Sequence, residues 1–252
     1  MPLIVTDLDS TLLRTDKTIS DYTVKILKQC QAANLKIAFA TARSTQASQR
    51  FLARFTPDIF VGYGGALVLA GDEVIHRFDI SAEISSALIK DCLAAPEVKC
   101  ILAINEHAAL TNNLDELDNE SSHYRYHDFT RDDKQSYLKI SVIATGEPAV
   151  RRIAARYPML DLLRYSGEDL YRFAHRDALK WNAVQAAAAH LAIGAEDCIA
   201  FGDDVNDLEM LTHCGTGVAV ANAIDEVKAA ANDICASNDE DGVAHWLETH
   251  IL

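Results

Sequence analysis

Short apolar runs alternate with helix-like segments in the first part of the chain. The run at residues 3–5 has no polar alternation, which is typical of a strand covered on both faces. A helix-like stretch follows, with Ser20 as a good N-cap and Asn34 as a left-handed residue at its end. Apolar runs at 37–39 and 59–61 predict the second and third strands. The order strand, helix, strand predicts a parallel α/β sheet.

The same alternation returns near the other end of the chain. Helices are predicted at 183–191, 207–211, 225–231 and 242–249, and strands at 198–201, 217–220 and 233–235. This part is expected to complete the parallel sheet that begins near the N-terminus.

The middle of the chain has a different pattern. Between about residue 81 and residue 174 the composition is more polar, and residues 137–143 alternate like a half-buried antiparallel strand. We therefore predict two domains: an α/β core formed by residues 1–80 and 175–252, and an inserted α+β domain formed by residues 81–174.

Composition and charge restrict the classes of partner. The chain has 252 residues, of which 49% are hydrophobic and 24% charged, and its formal net charge is −14. The negative charge argues against nucleic acid or an anionic membrane as a partner. No apolar run approaches the ~20 residues of a membrane span, and no secretory signal precedes Asp7, so a cytoplasmic protein is expected. The sequence leaves the oligomeric state open.

Two minor features carry less weight. The six cysteines show no C-x-x-C spacing, so buried reduced thiols are expected. Residues 119–121 have the form of a glycosylation acceptor, which matters only in a secreted protein.

Two aspartates follow the first apolar run, in the segment DLDST. Asp7 and Asp9 lie at the carboxyl end of a predicted parallel strand, where open α/β sheets place their ligands. A turn or helix cap is the alternative interpretation. Two carboxylates so close together need either a cation or a solvated loop.

A second acidic segment, GDDVND, follows the strand that ends at residue 201. Its carboxylates, Asp203, Asp204 and Asp207, would repel one another in a buried site without a cation. Oxygen ligands of this kind suit Mg²⁺, which keeps several waters and takes one or two carboxylates. A solvated acidic loop is the alternative.

Two weaker signals accompany the acidic segments. ATAR follows the second strand and puts the hydroxyl of Thr41 at a strand-to-helix turn, where phosphate could bind or where threonine could simply cap a helix. Lys180 begins a predicted helix and would be useful beside a phosphate dianion. Because three of these motifs end three predicted parallel strands, we expect them to converge on one edge of one sheet.

These residues together resemble the haloacid dehalogenase superfamily of phosphatases, in particular its Cof-type members with the class IIB cap. The family's D-x-D-G-T-L, T-G-R and G-D-x-x-N-D appear as DLDSTL, TAR and GDDVND, its lysine matches Lys180, and GVAVANAIDEVKAAA resembles the run after the fourth motif. The resemblance implies a Rossmann-like core with a parallel sheet flanked by helices, plus an inserted α+β cap. Four residues differ from the usual family pattern: Ser10, Ala42, Gly64 and Trp181.

The resemblance also implies a role for each motif residue. Asp7 would attack phosphorus and Asp9 would act as proton donor and then acceptor. Mg²⁺ would be held by Asp7, the backbone carbonyl of Asp9 and Asp203, with metal-bound waters on Asp207 and Asp204. The transferring phosphoryl group would contact Thr41, Lys180, Asn206 and the backbone N–H of Ser10.

The expected function is therefore a Mg²⁺-dependent phosphatase of small phosphorylated metabolites, sugar phosphates first among them. Two alternatives remain at this point. A phosphomutase would use the same aspartyl-phosphate chemistry and return the phosphoryl group to a sugar. A non-catalytic regulator that binds a sugar phosphate could share the fold, although it would not need both Asp7 and Asp9.

Overall fold

The computed structural model describes residues 2–117, 123–130, 134–165 and 169–252. Its chain divides into two compact units. Unit 1 comprises Met1–Arg43, Ser48–His76 and Leu179–Leu252, and unit 2 comprises Ser44–Ala47 and Arg77–Ala178. The sequence prediction puts the borders a few residues away, at 81 and 175, and does not assign residues 44–47 to the insert. The acceptor-like segment 119–121 lies outside the described residues.

The strands and helices of the described chain are numbered in chain order. The strands are β1 (Leu3–Thr6), β2 (Lys36–Ala40), β3 (Ile59–Gly62), β4 (Leu67–Ala70), β5 (Glu73–Arg77), β6 (Val98–Ile104), β7 (Ala109–Thr111), β8 (Arg125–Tyr126), β9 (Lys139–Ala144), β10 (Leu160–Arg164), β11 (Leu170–His175), β12 (Cys198–Gly202), β13 (Thr216–Val220) and β14 (Asp233–Cys235). The α-helices are α1 (Asp21–Ala32), α2 (Thr45–Leu52), α3 (Ala82–Ala94), α4 (Glu147–Ala154), α5 (Lys180–His190), α6 (Leu208–His213), α7 (Asp225–Ala230) and α8 (Gly242–His250).

The sheet that contains β1 has the order β14-β13-β12-β1-β2-β3-β4-β5 in the described residues. The strands from β14 to β3 run parallel, and β4 is antiparallel to β3. All four residues of β1 are buried, which explains why its sequence lacks polar alternation. The α/β class predicted from the sequence is confirmed.

Strand register brings the predicted motifs to the same edge of this sheet. Thr6 is level with Phe39 of β2 and with Phe201 of β12, so the chain leaves three neighbouring strands at nearly the same height. Asp7 continues the ladder, because its N–H donates to the carbonyl of Phe201 at 3.0 Å. The loops that follow β1, β2 and β12 therefore lie side by side.

Unit 2 is built on a second sheet, with the order β10-β11-β9-β6-β7-β8 among the described strands. Its pairs are antiparallel except for β7 with β8. A separate core forms where one face of this sheet packs with α3 and α4, and it includes Leu88, Ile101, Val142, Val150 and Phe173. The predicted α+β class of the insert is thus confirmed, and the strand predicted at 137–143 lies at Lys139–Ala144.

None of the helices in the described part of the chain combines the length and apolar composition that crossing a bilayer requires. All six cysteines are buried and free, as the sequence predicts.

Candidate active site

The loop after β1 is irregular and firmly held. Leu8–Leu12 form a wide turn closed by the N–H of Leu13, which donates to the carbonyl of Leu8 at 2.8 Å. Asp9 leaves the helical region, and Ser10 has φ 58° and ψ 6°, a left-handed conformation. Asn222 donates from its side-chain amide to the carbonyl of Ser10 at 2.7 Å, which fixes that peptide.

The loop after β12 is joined to the first one. Thr11 donates from its hydroxyl to Oδ1 of Asp203 at 2.7 Å, across 192 residues of sequence. A short 3₁₀ helix, Val205–Asp207, follows, and the side chain of Asp207 accepts bonds from the backbone N–H groups of Asp203 and Asp204 at 3.1 and 3.3 Å. Gly202 is required here, because a Cβ at that position would lie 2.5 Å from the Cβ of Asp207.

Three carboxylates meet between these loops. Ligand oxygens of Asp7, Asp203 and Asp207, here called the carboxylate cluster, lie within 4.8 Å of one another. Lys180 reaches into the cluster and donates to Asp7 at 2.6 Å and to Asp207 at 2.7 Å. Lys180 is 3% exposed, Asp7 6% and Asp207 0%, so these charges are almost wholly removed from solvent.

Lys180 is held in place by the turn between β3 and β4. Gly65 has φ 103°, and a Cβ there would overlap the backbone of Leu179, the residue before the lysine. The close approach of two backbones fixes the start of α5, and it explains a glycine at this position.

Charge in the carboxylate cluster is unbalanced. Burial raises the pKa of Asp7 well above its ordinary value; Lys180 opposes this rise, and the neighbouring carboxylates add to it. Burial and Asp207 together raise the pKa of Asp203 to about 7. Burial acts to lower the pKa of Lys180, but Asp207 and Asp7 raise it, so the lysine stays charged. Three acids face one cation, which is the condition in which a metal ion is needed.

A divalent cation fits this set of donors. The ligand atoms are hard carboxylate oxygens, close enough for one ion and in excess of the single lysine. The backbone carbonyl of Asp9 comes from the same loop as Asp7. Mg²⁺ is an ion that suits such a set, because it needs only a few protein oxygens and keeps several waters.

Asp9 lies in the opposite electrostatic environment. Arg43 donates from Nε to its Oδ2 at 2.6 Å and from Nη2 to its Oδ1 at 2.7 Å, and Lys17 donates to Oδ1 at 3.1 Å. We call these three side chains the Asp9 clamp. Burial acts to raise the pKa of Asp9, but the bonds from Arg43 and Lys17 outweigh it and lower the pKa.

The remaining predicted residues have definite places. Thr41 is fully buried, and its hydroxyl accepts the backbone N–H of Arg43 at 3.1 Å. Asn206 lies in the 3₁₀ helix between Asp203 and Asp207. The side chain of Asp204 caps that helix and accepts from the N–H of Val205 at 2.8 Å, so the structure gives it a local structural task beside the predicted one.

Four residues near the site carried no role in the sequence prediction: Thr11, Lys17, Arg43 and Asn222. Arg43 belongs to the quoted ATAR segment, so a signal for it existed. Lys17 and Asn222 are polar residues in loops, where no periodicity distinguishes them from ordinary surface positions.

Comparison with known proteins identifies the family and the fold. The profile of the haloacid dehalogenase-like hydrolase family matches residues 4–247. A Haemophilus influenzae protein provisionally assigned as a phosphatase is 31% identical, over 97% of this chain and 96% of its own. The 5-amino-6-(5-phospho-D-ribitylamino)uracil phosphatase YitU of Bacillus subtilis is 29% identical, over 98% and 97%. A solved sugar phosphatase of subclass IIB has a similar fold, with a TM-score of 0.85 at 23% identity, over 99% and 98%.

Proposed function

Since the chain belongs to the haloacid dehalogenase-like hydrolase family and is a phosphatase of its Cof type, we propose that it hydrolyses phosphomonoesters of small metabolites through an aspartyl-phosphate on Asp7. Sugar phosphates are the favoured substrates. The relative that acts on a phosphorylated ribityl compound supports this choice. The observation that carries the proposal is the carboxylate cluster with Lys180 at the ends of β1 and β12.

The first step forms the covalent intermediate. A carboxylate oxygen of Asp7 attacks phosphorus, the bond from phosphorus to the leaving oxygen breaks, and Asp9 gives that oxygen a proton. In the second step Asp9 takes a proton from water, the water oxygen attacks phosphorus, and the bond to Asp7 breaks. Inorganic phosphate and the alcohol are the products.

Charge balance explains why a cation is needed. The carboxylate cluster and a phosphate dianion bring about five negative charges together, and Lys180 supplies one positive charge. Asp7, the carbonyl of Asp9 and Asp203 would hold Mg²⁺, with Asp207 and Asp204 toward its waters. When bound, Mg²⁺ supplies two positive charges that offset the charge of the phosphoryl oxygens.

Other residues would bind the phosphoryl group or the rest of the substrate. Thr41, Lys180, Asn206 and the N–H of Ser10 are proposed to contact the phosphoryl oxygens, where positioning and electrostatic stabilisation provide most of the catalysis. Unit 2 is proposed to select the substrate, in the manner of a cap domain.

A phosphate-release assay tests the proposal. Purified protein with Mg²⁺ should release inorganic phosphate from a panel of sugar phosphates, and EDTA should abolish release. The variant Asp7→Asn should be inactive, whereas Asp72→Asn, at an exposed position of the β4–β5 turn, should match the wild type. Isomerisation of a hexose phosphate without release would instead indicate a phosphomutase. Binding without either reaction would indicate a regulator.

A further inference from the structure

The loop between Leu13 and Ile19 brings a single lysine to the site. Its turn is closed by two backbone bonds, from the N–H of Arg14 to the carbonyl of Thr18 at 3.0 Å and from the N–H of Lys17 to the carbonyl of Arg14 at 2.8 Å. Asp16 adds bonds from the N–H and hydroxyl of Thr18 at 3.0 and 2.6 Å. Lys17 has φ 60°, a strained conformation for a residue with a side chain.

The loop is fastened to the C-terminal part of unit 1. Arg14 forms a bidentate pair with Asp241, at 2.6 and 3.1 Å. Asp239 accepts from both the N–H and the hydroxyl of Thr15 at 2.8 Å. Asn238 donates to the carbonyl of Leu13 at 3.0 Å. With its neighbours bound to this segment, Lys17 extends to the carboxylate of Asp9.

Arg43, the other cation of the Asp9 clamp, is itself fixed. Its N–H donates to Thr41 and its carbonyl accepts the N–H of Tyr63 at 2.9 Å, while its guanidinium lies 5.2 Å from the centre of the Phe51 ring. Its planar fork sets the plane of the Asp9 carboxylate. Lys17 adds a third bond, to the oxygen that Arg43 Nη2 also contacts, so rotation of the carboxylate breaks contacts with both cations.

The ion pair of Lys17 and Asp9 should contribute little to the stability of the fold. The two side chains are 31% and 35% exposed, and ion pairs at such positions contribute little to folding. A strained lysine backbone that makes so weak a pair needs another explanation, and the position of Asp9 provides one, because proton transfer depends strongly on the orientation of the donor.

We propose that Lys17 is a positioning residue that holds the carboxyl group of Asp9 in the orientation needed for proton transfer to the leaving oxygen. This inference rests on the proposed function. Lys17 acts through Asp9 and makes no bond to the reacting atoms. Its loss leaves Asp9 with the bonds from Arg43 alone, so the carboxyl group is more free to turn away from the leaving oxygen.

Leaving groups that differ in their need for a proton test this role. p-Nitrophenolate departs without a proton, whereas the alkoxide of glycerol phosphate requires one. We expect Lys17→Met to lower kcat/KM for glycerol phosphate about tenfold or more and to leave kcat/KM for p-nitrophenyl phosphate nearly unchanged. Lys17→Arg, which keeps the charge and the reach, should restore much of the loss. Lys28→Met, an exposed lysine of α1, removes the same charge and should change neither value.

Each other outcome overturns the role. Equal losses on both substrates in a variant with normal thermal unfolding would mean that Lys17 only orders the loop. A rise in KM with unchanged kcat on both would make it a substrate contact, and no change on either would make the pair incidental. If the wild type releases phosphate from neither ester, the proposed function fails together with this inference. If the wild type hydrolyses both esters but Lys17→Met lowers kcat/KM equally for both, only the positioning role of Lys17 is refuted and the proposed function stands.

Discussion

Asp7 and Asp9 stand two residues apart on the same loop, yet their surroundings are opposite in charge. Asp7 shares a buried space with two further acids and one lysine, and its pKa is raised. Asp9 is held by two cations, and its pKa is lowered. The difference arises from the backbone, because the turn at Asp9 and Ser10 directs the side chains of Asp7 and Asp9 to different partners. The pKa of each aspartate is therefore determined by its neighbours and not by the residue type alone.

The two environments suit different tasks. The carboxylate cluster has an excess of negative charge that only an added cation relieves, so it is suited to hold a metal ion and to present a nucleophile. In the Asp9 clamp one carboxylate faces two cations, Arg43 and Lys17, so no added cation is needed there. A carboxylate held in this way has a fixed orientation, which suits repeated proton transfer.

The largest expected effect comes from exchanging each acid for its amide. Asp7→Asn should lower kcat by at least about a thousandfold on every substrate, because it removes the proposed nucleophile. Asp9→Asn should lower kcat/KM about a hundredfold for alkyl phosphates and much less for p-nitrophenyl phosphate, because kcat/KM reports the step in which the leaving group departs. Steady-state phosphate release measures both. Equal losses from the two variants on both classes of ester would contradict the division of roles.

Loss of the buried cation, Lys180, should lower the stability of the protein more than loss of the partly exposed cation, Arg43. Lys180→Met leaves the carboxylate cluster without its lysine and should lower the free energy of unfolding by about 3–5 kcal/mol in metal-free buffer at neutral pH. Arg43→Met removes a partly exposed pair and should cost about 1 kcal/mol or less. Urea unfolding with and without Mg²⁺ provides the measurement. Losses of equal size would show that burial does not distinguish the two regions.

The effect of pH on Mg²⁺ binding should come from the carboxylate cluster and not from the Asp9 clamp. The pKa of Asp203 is about 7 in the metal-free protein, against about 3.9 in the unfolded chain. Between these two pKa values Asp203 is protonated in the folded protein and ionised in the unfolded chain. The metal-free protein therefore loses stability as the pH rises through this range. Mg²⁺ requires the ionised form, and its stabilising effect should therefore grow from pH 5 to pH 8, a range defined by that pKa of about 7.

Thermal unfolding with and without Mg²⁺ across this range measures the effect. Asp203→Asn should remove most of the Mg²⁺ response at every pH. Asp9→Asn should keep both the response and its pH dependence, because the side chain of Asp9 binds Arg43 and Lys17 and is not one of the three carboxylates of the cluster. A shift of the same size at acidic and alkaline pH in the wild type would refute the assignment to Asp203.

The parts of the fold that follow from continuous burial could be predicted from the sequence. Uninterrupted apolar runs reveal β1, β2 and β12, and the polar residues after them identify the edge of the sheet where the site lies. Helix α2 and the β4–β5 pair were not predicted. The helix TQASQRFL has only Phe51 and Ser48 buried, and β5 is mostly exposed, so neither has a clear pattern.

At the candidate site, the sequence prediction is limited for a similar physical reason. Carboxylates at strand ends can be found because they interrupt apolar runs. Lys180 is a weaker signal at the start of a predicted helix, and the family resemblance adds the role that the residue pattern alone does not give it. The roles assigned to these residues stay predictions, although the structure brings Asp7, Asp203, Asp207 and Lys180 together. The contact of Lys17 with Asp9 could not be found, because it depends on a left-handed residue in a loop, and the sequence shows only another charged residue there.

Ser10 joins the two environments and should give the smallest effect. It has φ 58°, where glycine would be unstrained, so Ser10→Gly should change the free energy of unfolding by no more than about 1 kcal/mol. Strain relief and the larger entropy of the unfolded glycine chain oppose each other. The bond from Asn222 goes to the carbonyl of residue 10 and survives the change, so kcat/KM should stay near the wild-type value. Asn222→Ala removes that bond and should lower kcat/KM more than Ser10→Gly does. If Ser10→Gly is the more damaging variant, the serine hydroxyl rather than the backbone holds Asp7 and Asp9 apart.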